Sequence, residues 1–174
     1  GVAASPNPVL GWVGSLSEFE GTKGYWAKTD DSFSFSYDLT NSSDRGSSQN
    51  TTVSPYEFVQ SSKQAFYFIE GVNFDIKLGD WIVAYSDNII VGSRQWNGLY
   101  TDIPAMGYDG SLYSAGYCEE GNSPRFVWID GGGDAHNLTA NIPGWSNNEI
   151  YNISLEYLEE PVPSEYSLVQ NYPN

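Results

Sequence analysis

The stretch Trp81-Ile-Val-Ala-Tyr-Ser-Asp-Asn-Ile-Ile-Val-Gly92 sets two apolar runs either side of Asp87-Asn88, two residues that tolerate a positive φ. A connection of that length joins antiparallel neighbours and leaves the register almost no freedom, so the sequence predicts a β-hairpin. Short runs of the same kind recur on both sides of it: Gln64–Glu70, Leu112–Cys118, Arg125–Asp130 and Ile150–Tyr157. Closely spaced short strands separated by turn residues point to a sandwich. The last of them aligns Tyr151, Ile153, Leu155 and Tyr157 on one face. The stretches Arg94–Gly110 and Asp130–Asn137, rich in Gly, Asp and aromatic residues, read as loops, where binding residues concentrate.

The chain before residue 56 has a different texture. Leu10-Gly-Trp-Val-Gly, Gly24–Thr29 and Ser32–Leu39 read as strands, and the last alternates with period two, placing Phe33, Phe35, Tyr37 and Leu39 opposite Ser32, Ser34, Ser36 and Asp38. From Thr40 to Thr52 no apolar residue occurs, which marks a polar linker. Glu159-Glu-Pro-Val-Pro-Ser164 is a Pro-broken exit. The expected organisation is a small β-module at 1–39, or the end of a larger one, a polar linker at 40–55, a β-sandwich domain at 56–158 and an exit segment at 159–174. The fold class expected is all-β, a β-sandwich of about eight antiparallel strands with a small N-terminal β-module.

Composition agrees with strands and turns. Of 174 residues 40% are hydrophobic, enough apolar surface to offset the entropy of ordering a chain this long. Aromatics reach 16%, led by 13 Tyr and 6 Trp, which favour strands, while 18 Gly and 9 Pro interrupt any long helix. The net charge of −15 repels phosphate backbones and anionic membrane surfaces, so nucleic acid is excluded as a partner. No run approaches the roughly 20 apolar residues of a membrane helix, and no membrane insertion is expected. The acidity suits either extracellular solubility or carboxylates gathered around Ca²⁺. Cys118 is the one cysteine, leaving no intrachain disulfide and reading as a small buried hydrophobe.

Three stretches resemble modules of bacterial type IX secretion cargo. Trp12-Val-Gly-Ser-Leu-Ser-Glu-Phe-Glu-Gly-Thr-Lys-Gly-Tyr-Trp-Ala-Lys-Thr29 is similar to the "G-S-L, then G-K-G-Y-W-x-K" end of a small β-module, with Thr22 inserted in the Gly-Lys-Gly run. Residues 56–158 resemble a β-domain of such cell-surface proteins through Gly79-Asp-Trp-Ile-Val-Ala-Tyr85, Val91-Gly-Ser-Arg-Gln-Trp96 and Asp102-Ile-Pro-Ala-Met-Gly-Tyr-Asp-Gly110. Glu165-Tyr-Ser-Leu-Val-Gln-Asn-Tyr-Pro-Asn174 is similar to the opening of a type IX C-terminal sorting domain. The resemblance implies an address: a secreted protein on the bacterial outer cell surface, with an adhesive, glycan-binding or structural role.

Candidate sites follow from side-chain chemistry. Sugars stack their C–H faces on aromatic rings while polar groups capture hydroxyls, and Trp96, Tyr100, Tyr108 and Trp145 lie in presumed loops beside Asn, Asp or Gln. Packing beneath long loops is the competing fate for those rings. Trp26, Trp81 and Trp128 fall within strand runs and are expected in the core. No cofactor is expected unless Ca²⁺ is bound, for which Asp102, Asp109, Asp130 and Asp134 in Gly-containing turns are the candidate ligands. Arg94 is expected to pair with Asp80 or Asp102. His136 is the single histidine and no G-x-S-x-G elbow accompanies it, which disfavours a Ser-His-Asp triad. Glu119, Glu120 and Glu149 are candidates for a glycosidase pair only by abundance. The function expected is a non-catalytic extracellular binding or adhesion module with glycan as ligand class. The alternative is a structural subunit self-assembling into a surface sheath or filament. The partners are then an extracellular polysaccharide, another surface protein, or copies of itself.

Overall fold

The structure, a computed structural model, describes residues 1–19, 23–29, 31, 32, 34 and 54–158. Its strands are β1 (Ala4–Asn7), β2 (Gly11–Gly14), β3 (Lys63–Val72), β4 (Trp81–Ser86), β5 (Ile89–Gln95), β6 (Asp102–Gly107), β7 (Arg125–Ile129), β8 (Ala135–Asn137) and β9 (Ile150–Leu155). A four-stranded sheet in the order β5-β4-β7-β8 faces a three-stranded sheet in the order β6-β3-β9, and β1-β2 form a separate hairpin. The protein is an all-β sandwich. One pairing departs from the antiparallel expectation: β3 and β9 run parallel. No helix among the described residues is long and apolar enough to cross a membrane.

The β4-β5 hairpin forms as its sequence dictates, with Asp87 at φ 50° in the turn. The register runs from Trp81↔Gln95 to Ala84↔Gly92, then slips, leaving Val91 as an extra residue before Tyr85↔Ile90. An extra residue of this kind is a β-bulge, which bends the strand locally. Gly92 is required there, because a Cβ would lie 1.6 Å from the Pro104 carbonyl oxygen.

Strand β3 is buried on both faces, which is why Ala65-Phe-Tyr-Phe-Ile69 is apolar throughout rather than alternating. Ala65, Tyr67 and Ile69 point into the main core with Ile82, Ala84, Ile103, Phe126 and Leu155. Tyr67 stacks on Tyr151 at 4.9 Å, meets the edge of Phe126 at 5.3 Å and donates its hydroxyl to the Pro143 carbonyl at 3.2 Å. Burial holds that phenol well above its ordinary pKa. Phe66 and Phe68 point the other way, beneath Ala3 and Val13 of the β1-β2 hairpin. The hairpin is thus a third layer, fastened by Ser15 Oγ donating to Asp102 Oδ2 at 2.6 Å.

Four local expectations are corrected. Leu112–Cys118 is not a strand: Leu112–Ser114 is a 3₁₀ turn, and only Cys118 bridges to Gly107. Asp109 is the reason, accepting from Ser111 N and Ser114 Oγ and so offering the backbone a turn instead of a ladder. Asp102–Gly107 is not loop but β6, fully buried and paired with Lys63–Phe68. Within Asp130–Asn137, Ala135–Asn137 pairs with β7. Residues 23–29 form no strand, nor do Ser32 and Ser34. The remainder of the 33–39 alternation, the polar run Thr40–Thr52 and the exit segment 159–174 lie outside the described residues.

Candidate ligand cleft

Where the β1-β2 hairpin and the segment after it cross the β3-β9 sheet, they leave a cleft of about 590 Å³. Its floor is Phe66 and Ile150, the half-covered outer face of that sheet. One wall carries Tyr25, Trp26, Lys23 and Lys28; the other carries Gln60, Gln64, Asn148 and Glu149. Trp26 is 75% exposed. Lys28 Nζ meets Glu149 Oε2 at 2.5 Å, tying the two walls together. Asn148 adopts φ 63°, a left-handed conformation that Asn tolerates, and turns the chain into β9. Its amide side chain has no hydrogen-bond partner among the described residues. Apolar rings, amides and an ion pair around one depression can stack a flat hydrocarbon face and hydrogen-bond polar groups at its rim.

The aromatic residues chosen from the sequence are placed otherwise. Trp96 and Trp145 are 6% and 2% exposed, so neither offers a face to a ligand. Trp96 continues the β5 edge, its N–H donating to Asp80 O at 2.7 Å, and its ring lies in the main core. Trp145 Nε1 donates to the Ala105 carbonyl at 2.9 Å. Tyr100, at φ 66°, is half-buried against Phe66 and Phe68. Tyr108 is exposed but does not line the cleft. Conversely Trp26 is exposed rather than core, and Trp81 and Trp128 are half-buried. The dipeptide Tyr25-Trp26 carried a signal: neighbours in extended chain point to opposite sides, so both rings cannot enter one core.

The four candidate calcium ligands do not converge on one site. Asp102 is buried, its carboxylate taken by Ser15 and by Arg94 Nη2 at 3.2 Å. Burial raises its pKa, while Arg94 and the Ser15 hydroxyl pull it down. Asp109 accepts from Ser114 Oγ, Ser111 N and both donors of Ser62, which hold its carboxyl well below the usual carboxylate range. Asp130 Oδ1 accepts from Gly132 N and Asp134 N within its own turn. Its Oδ2 meets His136 Nε2 at 3.1 Å, the first cause of its lowered pKa. Asp134 is exposed at the same turn. Among the described residues no three His, Cys, Asp or Glu side chains stand together to hold a metal ion.

Arg94 pairs with Asp102 and not with Asp80, which instead accepts from Trp128 Nε1 at 2.9 Å and Lys77 N. His136 lies against Trp128, ring centroids 4.4 Å apart, with the Tyr157 edge at 5.1 Å. Cys118 is buried, and burial pushes its thiol up to about 12.

The class of protein so defined is an all-β sandwich whose three-stranded sheet carries an added hairpin layer and, beside it, an aromatic-lined cleft. Comparison of the chain with protein-family models, with curated proteins and with solved structures finds no match.

Proposed function

We propose that the chain is a non-catalytic extracellular binding module of a bacterial surface protein, with glycan as its ligand class and the hairpin cleft as its site. The observation that carries the reading is the exposed Trp26 ring on the wall of a cleft whose opposite wall bears the amides of Gln60, Gln64 and Asn148. An indole left in water costs solvation that a core position would recover, and stacking against a pyranose recovers it on binding. The motifs shared with type IX cargo support the surface address. Screening the chain against a panel of polysaccharides by Trp fluorescence and calorimetry tests the reading. Trp26→Ala is expected to weaken binding roughly tenfold or more, as loss of a central aromatic anchor does, while leaving the thermal midpoint nearly unchanged. Binding that survives the substitution, or a blank panel, would sink it.

One observation favours the self-assembling structural subunit as a second reading. Residues 1–17 contain no charged side chain in a chain of net charge −15, and the β1-β2 tip presents Val9, Leu10 and Trp12 to water. Asn7 Oδ1 accepts from both Val9 N and Leu10 N at 3.0 Å, so the turn can be buried without stranding those donors. A tip of this kind seated on another copy would make a head-to-tail contact that propagates. Under this reading sedimentation velocity shows mass rising with protein concentration, and Leu10→Asp abolishes the rise. A single monomer boundary across the concentration range rejects it.

A further inference from the structure

We infer that the cleft takes a carboxylate-bearing saccharide, a glycan of the uronic acid type, with Glu149 occupying in the free chain the place of the ligand's carboxylate on Lys28. The inference rests on the glycan reading above and narrows its ligand class.

Cations are scarce in this molecule, 7 Lys and Arg against 22 Asp and Glu, yet two of the lysines stand on one wall of this cleft. Among the described residues Lys23, like Lys63 and Arg125, makes no ion pair, whereas Lys77, Arg94 and Lys28 each have one. Among the described residues the cleft therefore offers one ammonium outside any ion pair and one that holds an internal carboxylate. The Lys28–Glu149 pair is open to water, with side chains 60% and 36% exposed, and a solvent-exposed pair of this kind contributes little net stability. Exchanging Glu149 for a ligand carboxylate of the same charge and shape is then nearly balanced, and Glu149 swings into solvent. Its backbone need not follow, because its carbonyl accepts from Phe66 N at 3.0 Å and keeps the start of β9 in place.

The remaining groups suit a sugar ring carrying that acid. Trp26 supplies stacking surface, and the Asn148 amide, which makes no side-chain hydrogen bond among the described residues, supplies a donor and an acceptor for hydroxyls. The molecule's overall negative charge does not veto an acidic ligand at physiological ionic strength. Screening confines each exposed carboxylate to about 8 Å, so the local balance of Lys23 and Lys28 against Glu18 and Glu149 governs the cleft.

Opposite outcomes are expected for the two partners of one ion pair. Lys28→Gln removes a ligand contact and weakens acid binding, whereas Glu149→Gln removes the internal competitor and strengthens it. A pair that served only to fasten the walls would respond alike to both changes. The experiment is calorimetric titration of the full chain with polygalacturonate and with its methyl-esterified counterpart, which keeps the sugar backbone and loses the charge. The acid form is expected to bind about fivefold more tightly than the ester, Lys28→Gln to remove that preference, and Glu149→Gln to enlarge it by roughly threefold. Equal affinity for the two forms, or parallel shifts in both variants, overturns the inference and leaves the glycan reading standing. Silence toward both forms overturns it as well, and the glycan reading then falls only if the wider polysaccharide panel is silent too.

Discussion

Trp145→Ala is expected to lower the stability of the domain by about 3–5 kcal/mol, the range for deleting a buried aromatic. Three losses combine. The indole is 2% exposed and lies so close over Gly107 that a Cβ there would sit 2.2 Å from its ring, so no side chain is positioned to refill the space. The Ala105 carbonyl loses the Nε1–H donor it holds at 2.9 Å and is left in a cavity. The segment carrying Trp145 also loses its anchor over the β6 edge, where Trp145 N donates to Asn122 O and its carbonyl accepts from Gly121 N. A domain of this size has roughly 5–15 kcal/mol in total, so the variant should show a much earlier urea midpoint, read by far-ultraviolet circular dichroism. Trp145→Phe should recover part of the loss by refilling volume while leaving the carbonyl unpaired. A midpoint unchanged in Trp145→Ala, with a ligand lost instead, would return Trp145 to the surface role its loop position suggested.

Arg94→Ala is expected to cost about 3 kcal/mol at pH 7, and its signature is a pH dependence. Asp102 is 2% exposed, and without Arg94 its carboxylate keeps only the Ser15 hydroxyl as side-chain donor. Arg94 also donates Nε–H to the Asp102 carbonyl at 2.9 Å and Nη2–H to the Gly1 carbonyl at 2.8 Å, so its removal loosens the hairpin layer. Burial already raises the Asp102 pKa against the pull of Arg94, and losing the guanidinium raises it further. A carboxyl whose folded pKa stands above its unfolded value, about 3.9, binds its proton more tightly when folded. Stability is therefore greatest below the unfolded pKa and is lost as pH rises through the folded one. The variant should be closest to the parent near pH 4 and furthest from it at neutrality. Adding Asp102→Asn should flatten that dependence and restore part of the neutral-pH loss. Denaturation midpoints at several pH values check both statements, and a pH-independent deficit would refute the buried-charge explanation.

Much of the sandwich was legible along the chain because strands with a repeating local pattern carry it. The β4-β5 hairpin, β3, β7 and β9 are written in apolar runs of strand length, and Asp87-Asn88 supplies the turn. Strand β6 was not legible: Pro104 and Gly107 are turn residues by composition, and only pairing with β3 makes Asp102–Gly107 a buried strand. Leu112–Cys118 failed in the opposite direction, its apolar content outweighed by Asp109 and Ser111 drawing the backbone into a turn.

Three tryptophans, Trp26, Trp96 and Trp145, sit otherwise than their local sequence suggested, for a related reason. Loop position suggested exposure for Trp96 and Trp145, and the segments bearing them fold back over the sheet edges. A strand-like run suggested burial for Trp26, and residues 23–29 pair with no strand. An ion pair of Arg94 with Asp80 or Asp102 and the buried Cys118 were anticipated, and Asp102 is the partner; a lone cation beside a strand and a lone apolar thiol have few other stable fates.

The sequence by itself determined the class of the molecule: turn residues at short intervals, β-branched and aromatic runs between them, and too few helix formers leave strands as the available way to satisfy the backbone. Tertiary structure alone decided which faces are covered twice and which rings remain in water. Periodicity records that a side chain points to one side of a strand, but not what lies on that side. The hairpin that covers Phe66 and Phe68, and the cleft it leaves beside Trp26, arise from contacts between residues distant in the chain, 87 positions for Ser15 and Asp102 and 121 for Lys28 and Glu149, on which local pattern is silent.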